Sequence, residues 1–290
     1  MTAYEDFAVL PTEASAGLRC GSTRGNLPTG KEAAIPGYKG HSVPTEAIQL
    51  SLVLPAYNEA LRLPPYLEKV RAYLDAQYGS RYEVIVVDDG SEDGLGQFLD
   101  GLSSDWPQLR SIRHPHNLGK GAAVRTGVLA AGGARLLFAD ADGATPIEEE
   151  RRLSAAIDAG AHLAVGSRLI AAAHVRRTRV WRRAVLGRLF AAVARRQFRL
   201  SIRDPQCGFK MFRREAGQRL FSLLHEPGFL FDLELLVLAK ELDYPTTEVP
   251  IHWQEIGGGH FRPASNSIQI LAGLWQLRRR LMKEEVGGRW

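Results

Sequence analysis

The sequence predicts an α/β protein built on a doubly wound, mostly parallel sheet flanked by helices. Three observations carry this. Apolar runs rich in β-formers recur along the chain, a helix-like segment follows each after a short turn, and a polar motif closes each run. Strands alternating with helices over short connections imply crossover units and a parallel sheet. Ligands of such sheets collect beyond the carboxyl ends of the strands, so the polar motifs should lie there.

Residues 1–45 are rich in Gly, Pro, Ser and Thr, show no period of 2 or 3.6, and read as a loosely ordered N-terminal arm ahead of a single domain over 46–290. Strands are expected at 48–55 (IQLSLVLP), 82–90 (YEVIVVDDG), 109–114 (LRSIRH), 134–142 (ARLLFADAD) and 162–168 (HLAVGSR). Helices are expected between them near 62–78, 93–103, 119–132 and 147–159. PAYNE, DDGSED, HNLGKGAA, DADGAT and GSR then close the five strands in turn. Beyond Arg168 come a basic helix-like region (176–199), the segment DPQCGFKMF (204–212) and helices near 213–224 and 231–242. A strand at 246–253, a Gly-rich loop at 257–260 and a helix near 264–284 complete the chain.

Composition narrows the function classes. With 290 residues, 45% hydrophobic and 24% charged, the chain can bury the core of a globular enzyme and is neither disordered nor collagen-like. Cys20 and Cys207 stand far apart without zinc spacing, which favours a reducing, cytoplasmic compartment over a disulfide framework. Apolar stretches of about eight residues fall short of the ~20 that span a bilayer, so no transmembrane helix is expected. Glu5 and Asp6 stand where a signal peptide would be basic.

The chemistry concentrates in acids at strand ends. Asp140 and Asp142, one residue apart, project to the same side of an extended segment and can approach one cation. Oxygen-only ligation suits Mg2+ or Mn2+, and such an ion would bridge a diphosphate leaving group. The plainer reading makes this a helix start, with Thr145 as N-cap and Pro146 as the first helical residue. Asp88 and Asp89 follow VIVV; a turn at Asp89-Gly90 explains one of them, and an acid there can also accept hydrogen bonds from a base or ribose. HNLGKGAA reads as a Gly-permitted turn into a helix, which sets Lys120 near any phosphate at that helix start. It lacks the order of a P-loop.

Taken together, LPAYNE, VVDDGS, NLGKGAAVRTG, ADADGAT and GSR resemble the motif set of the family 2, GT-A inverting glycosyltransferases that use nucleotide sugars. RDPQCGFKMF, FDLELL and VPIHWQEI sharpen the resemblance to the branch of dolichyl-phosphate β-glucosyltransferases and polyprenyl-phosphate mannosyltransferases, closer to the first, over about residues 50–282. The resemblance implies a nucleotide-sugar half (46–168) and an acceptor half (169–290). It implies that Pro55, Tyr57, Glu59, Asp88 and Asp89 hold uridine and that Lys120 lies beside the nucleotide. Asp140 and Asp142 match the family's DxD, with Asp142 the direct ligand of Mg2+ or Mn2+ and Asp140 nearer the ribose or sugar. Where the mannosyltransferase branch has a Gln two residues past the second Asp, this chain has Ala144. Arg168 would bind the acceptor phosphate, with Gln206 and Lys210 lining the sugar or acceptor side. The QxxRW of processive synthases is absent, which implies single addition.

The implied reaction is in-line attack on the anomeric carbon of a UDP-hexose, glucose by resemblance, with inversion. A polyprenyl phosphate acceptor is already ionised and needs no base, whereas a small hydroxyl acceptor would need one, with Asp232 or Glu234 as candidates. A non-catalytic nucleotide-sugar or lipid-phosphate binding module is the alternative from another class. Between Arg168 and Arg203 there are eleven arginines and no acid, interleaved with Val175, Val180, Trp181, Val185, Leu186, Leu189, Phe190, Val193 and Phe198. Such a segment suits peripheral contact with an anionic membrane, or a core-facing stripe under a solvated basic face; nucleic acid is disfavoured because no recognition module accompanies it. The apolar positions of the last helix, from Ile268 to Leu281, allow the same two readings. The eukaryotic glucosyltransferases of the resemblance carry an N-terminal membrane helix where this chain has its polar arm.

Overall fold

The computed structural model describes residues 47–170, 177–178, 192–254, 256, 273–275 and 277–280. The arm, most of the basic segment and the loop at 257–260 lie outside the described residues. Elements run in the order β1 (Leu50–Ala56), α1 (Leu63–Tyr78), β2 (Tyr82–Asp88), α2 (Leu95–Asp105), β3 (Leu109–Arg113), α3 (Lys120–Ala130), β4 (Arg135–Ala139), a 3-10 turn (Ile147–Glu149), α4 (Glu150–Asp158) and β5 (Leu163–Ser167). The two-residue β6 (Arg177–Thr178) follows, then β7 (Phe209–Arg213), α5 (Arg214–Leu223), α6 (Phe231–Glu241), β8 (Thr246–Pro250) and β9 (Trp253–Gln254).

Seven strands form one sheet in the order β3-β2-β1-β4-β7-β5-β8. All neighbours are parallel except β7, which runs antiparallel between β4 and β5. The chain winds outward from β1 through β2 to β3 and returns to pair β4 on the other side of β1. That reversal opens a crevice at the carboxyl ends of β1 and β4.

Strand alternation divides the core into two layers. Leu52, Leu54, Val84, Val86, Leu137 and Phe209 face α1, α2 and α4, whereas Val53, Ile85, Val87, Phe138 and Phe212 face α3, α5 and α6. Close packing on the second face depends on Gly127 of α3, where a Cβ would collide with Val53.

Two expectations change. The segment at 204–212, read without a strand, contains β7; its alternation places Met211 and Phe212 on opposite faces of a sheet covered on both sides, so no polar residue marks an outer face. Chain from beyond Arg168 thereby enters the middle of the sheet, and the two expected halves share one sheet. The strand expected at 246–253 ends at Pro250, a residue that cannot donate to a ladder, and Trp253–Gln254 pairs separately with Arg177–Thr178.

Candidate active site

The loops after β1 and β2 are stitched together. Asn58, at φ 53, donates its amide to Ser91 Oγ and accepts from Glu92 N, and Asp93 accepts from Ala60 N. Asn tolerates that left-handed backbone better than most residues. Pro55, one residue before the end of β1, is half-buried, Tyr57 is exposed at the rim, and Glu59 pairs with Arg62. Asp88 is buried, accepts from Ser91 N, and faces Arg113 at 3.5 Å.

Asp89 was expected to hold uridine. Its Oδ1 accepts from Leu118 N and lies 2.7 Å from His114 Nδ1, and its Oδ2 accepts from Gly119 N. The carboxylate therefore shapes the protein's own turn into α3. That turn requires Gly119, at φ 103 and pressed against the Pro227 carbonyl.

Asp140 and Asp142 do not lie on an extended segment: β4 ends at Ala139 and residues 141–142 form a turn. The turn still brings the two acids into one electrostatic field. Burial, and next the charge of Asp140, push the Asp142 carboxyl above its ordinary range against the pull of the Ala144 amide, Lys120 and Arg62. Asp142 Oδ1 accepts from Ala144 N at 3.0 Å, so the backbone at this Ala fixes the carboxylate. The Asp140 carboxylate occupies space that a side chain at position 208 would fill, which makes Gly208 part of the site. Thr145 is not the N-cap; the 3-10 turn begins at Ile147 with Pro146 in the N-cap position and no side-chain cap.

Lys120, the first residue of α3, reaches 2.6 Å from Asp140 Oδ1 and passes 5.5 Å from the Phe138 ring. Burial works against its charge, but Asp140, Asp232 and Asp142 outweigh it and raise the ammonium. Among the described residues no cluster of three His, Cys, Asp or Glu could hold a metal. Two adjacent, mutually repelling carboxylates do fit a hard divalent cation that takes its remaining oxygens from a diphosphate and water.

Arg168, at the end of β5, is gripped by Asp204: Nε donates to Oδ2 and Nη2 to Oδ1, both at 2.8 Å, and the backbone amide donates to Oδ2. Its guanidinium lies 5.6 Å from the Trp253 ring. Burial alone would lower the guanidinium, yet Asp204 holds it charged; Arg168 in turn overrides burial to lower the Asp204 carboxyl below its ordinary range. Glu248 of β8 secures this arrangement by accepting from the amides of Arg203 and Asp204. Asp204 was missed; its signal was the acid beside Arg203 in an otherwise acid-free basic stretch. Gln206 donates to the Phe229 carbonyl at the site's edge.

Lys210 and Asp232 do not line a ligand surface. Lys210 is wholly buried, with Nζ 2.5 Å from Asp232 Oδ1 and 2.6 Å from the Cys207 carbonyl. Strand parity is the cause: Lys210 shares a face with Phe212, which points it at α6, where Asp232 lies. Burial pushes the Asp232 carboxyl upward against both lysines. Glu234, also buried, accepts from Glu226 N and pairs with Arg280 at 2.9 Å.

The profile of the family Glycosyl transferase family 2 matches residues 51–221, which include Asp140, Asp142, Arg168 and Asp204. The chain belongs to glycosyltransferase family 2. Within it, the dolichyl-phosphate beta-glucosyltransferase of Drosophila melanogaster is 37% identical over 264 residues, covering 82% of this chain and 80% of the relative. The enzymes of that name from Saccharomyces cerevisiae (84% of this chain, 78% of the relative) and Homo sapiens (79% and 78%) are each 35% identical. Among solved structures, glucosyl-3-phosphoglycerate synthase from Mycobacterium tuberculosis in complex with UDP superposes with a TM-score of 0.58 at 23% identity, covering 80% of each chain. A mannosyltransferase from Pyrobaculum calidifontis in complex with GDP-Man and Mn2+ gives 0.53 at 19%, covering 82% of this chain and 66% of that one. These likenesses show the GT-A fold, as expected from the sequence. Among the described residues of this family 2 glycosyltransferase, no helix is long and apolar enough to cross a membrane.

Proposed function

We propose that this glycosyltransferase moves glucose from UDP-glucose to a polyprenyl phosphate of the dolichyl type, with inversion. The observation that carries the reading is the match to dolichyl-phosphate beta-glucosyltransferases over four-fifths of the chain at 35–37% identity. The uridine enters the crevice beside Tyr57, Glu59 and Asp88, and the diphosphate lies against the N-terminus of α3, where the Lys120 ammonium favours an anion. Asp140 and Asp142 would hold Mg2+ or Mn2+, which when bound supplies charge stabilisation to the departing diphosphate. Arg168, fixed by Asp204 and Trp253, presents its charge to the acceptor phosphate.

The acceptor oxygen of a phosphate is ionised near neutral pH, so no base is needed. A hydroxyl acceptor needs one within hydrogen-bond reach. Asp232 and Glu234, the two candidates, are 3% and 1% exposed and paired with Lys210 and Arg280, which favours the phosphate acceptor. The arginine-rich segment beyond Arg168 would meet an anionic membrane where such a lipid resides. The test is transfer of labelled glucose to a short polyprenyl phosphate against the corresponding free polyprenol. Product from the phosphate alone is expected, and equal or greater transfer to the alcohol would refute the acceptor assignment.

A further inference from the structure

Lys120 is held at its backbone, so only its side-chain torsions can redirect its ammonium. Its neighbours fix it from both sides: Asp89 accepts from Gly119 N, and Ala122 donates to the Pro227 carbonyl. The Lys120 ammonium lies over the Phe138 ring and pairs with Asp140, whose side chain is 40% exposed. Of the other acids whose charge reaches Lys120, Asp232 is already held by the buried Lys210 and Asp142 accepts from the Ala144 amide. One flexible ammonium thus stands against one accessible carboxylate, at the place a divalent cation would need.

We propose that Lys120 is the internal counter-ion of the Asp140–Asp142 pair in the donor-free enzyme, and that it cedes Asp140 to the metal as it transfers to the donor diphosphate. This rests on the reading of Asp140 and Asp142 as the metal pair. The exchange is non-covalent: the Lys120–Asp140 ion pair opens, Asp140 turns to the divalent cation, and the ammonium takes an oxygen of the diphosphate at the α3 N-terminus. A lysine suits this role because its ammonium is a compact point charge on a flexible stem. Electroneutrality couples the two ligands. The cation and the diphosphate arriving together leave the formal charge of the site as it was, whereas either arriving alone shifts it. The metal therefore binds weakly by itself and tightly with nucleotide.

The experiment is Mn2+ binding without nucleotide, followed by electron paramagnetic resonance of the free ion, for the unaltered protein, Lys120→Gln, Lys120→Arg and the double variant Lys120→Gln/Asp142→Asn. Lys120→Gln should bind Mn2+ about tenfold tighter than the unaltered protein, the scale of one charge interaction at a partly buried site. It should also bind UDP more weakly when Mn2+ is saturating, and Lys120→Arg should stay near the unaltered Mn2+ affinity. If Lys120→Gln binds Mn2+ no tighter while the added Asp142→Asn still abolishes binding, the metal pair stands and the counter-ion role is overturned. If the added Asp142→Asn changes nothing, the metal pair itself is wrong and the proposal goes with it. The unaltered protein gives an independent check should a variant misfold. UDP must tighten its Mn2+ binding by about tenfold or more through linkage, and equal affinity with and without UDP contradicts the exchange.

Discussion

Asp204 shows how a single carboxylate sets the chemistry of its neighbour. With both oxygens and a backbone amide engaged, it keeps Arg168 charged in a place where burial alone would discourage charge. Its own carboxyl is held below the ordinary value of 3.8. A depressed acid contributes stability that is complete above its unfolded value and disappears as pH falls through its folded value. Asp204→Asn should therefore cost roughly 3 kcal/mol at neutral pH, because it leaves a buried guanidinium without its partner. The gap from the unaltered protein should close as pH drops below that ordinary value. Urea midpoints across a pH series measure it, and a gap independent of pH would remove the ion pair as the cause. The carboxylates at strand ends could be picked out of the sequence because apolar runs terminate in them. The partners of the strand-end charges could not, since His114 for Asp89 and Asp204 for Arg168 meet only once the chain has folded.

At the scale of elements, β7 does most to position the site and was the element least visible in the sequence. Its first four residues are buried, Lys210 among them with a counter-charge, and only the terminal Arg213 is partly exposed, so no alternation of polar and apolar residues announces a strand. The crossover units before Arg168 were visible because each strand ends in turn residues and each helix begins soon after. The residue before β7 is Gly208, whose missing side chain makes room for Asp140. Gly208→Ala should displace that carboxylate and lower transfer by roughly a hundredfold, the cost of misplacing a reacting group by about an ångström. The melting temperature should fall by only a few degrees. Unchanged turnover in a folded variant would show that Asp140 does not need this position.

For the molecule as a whole, the motif set was readable because GT-A chemistry draws one short polar segment from the end of each successive strand. The outcome for Lys210 and Asp232 was not, because the side of the sheet a residue faces depends on a register that the sequence leaves open. The chain's excess of basic over acidic residues, +5 formally, gathers in the segment after Arg168. Binding to vesicles should accordingly need anionic lipid and weaken with salt. Co-sedimentation with phosphatidylserine vesicles against phosphatidylcholine vesicles tests this, and equal binding to both would point to apolar contacts instead.

The proposed activity is glucose transfer from a uridine donor to a lipid phosphate across the Asp140–Asp142 crevice. The most direct measurement is UDP release from UDP-glucose by the purified protein with Mn2+, with and without a short polyprenyl phosphate, beside Asp142→Asn. Release should require the lipid phosphate and fall by roughly a hundredfold or more in the variant, the scale of losing one preorganised charge at a transition state. Release that ignores the lipid phosphate, or that survives in Asp142→Asn, would contradict it.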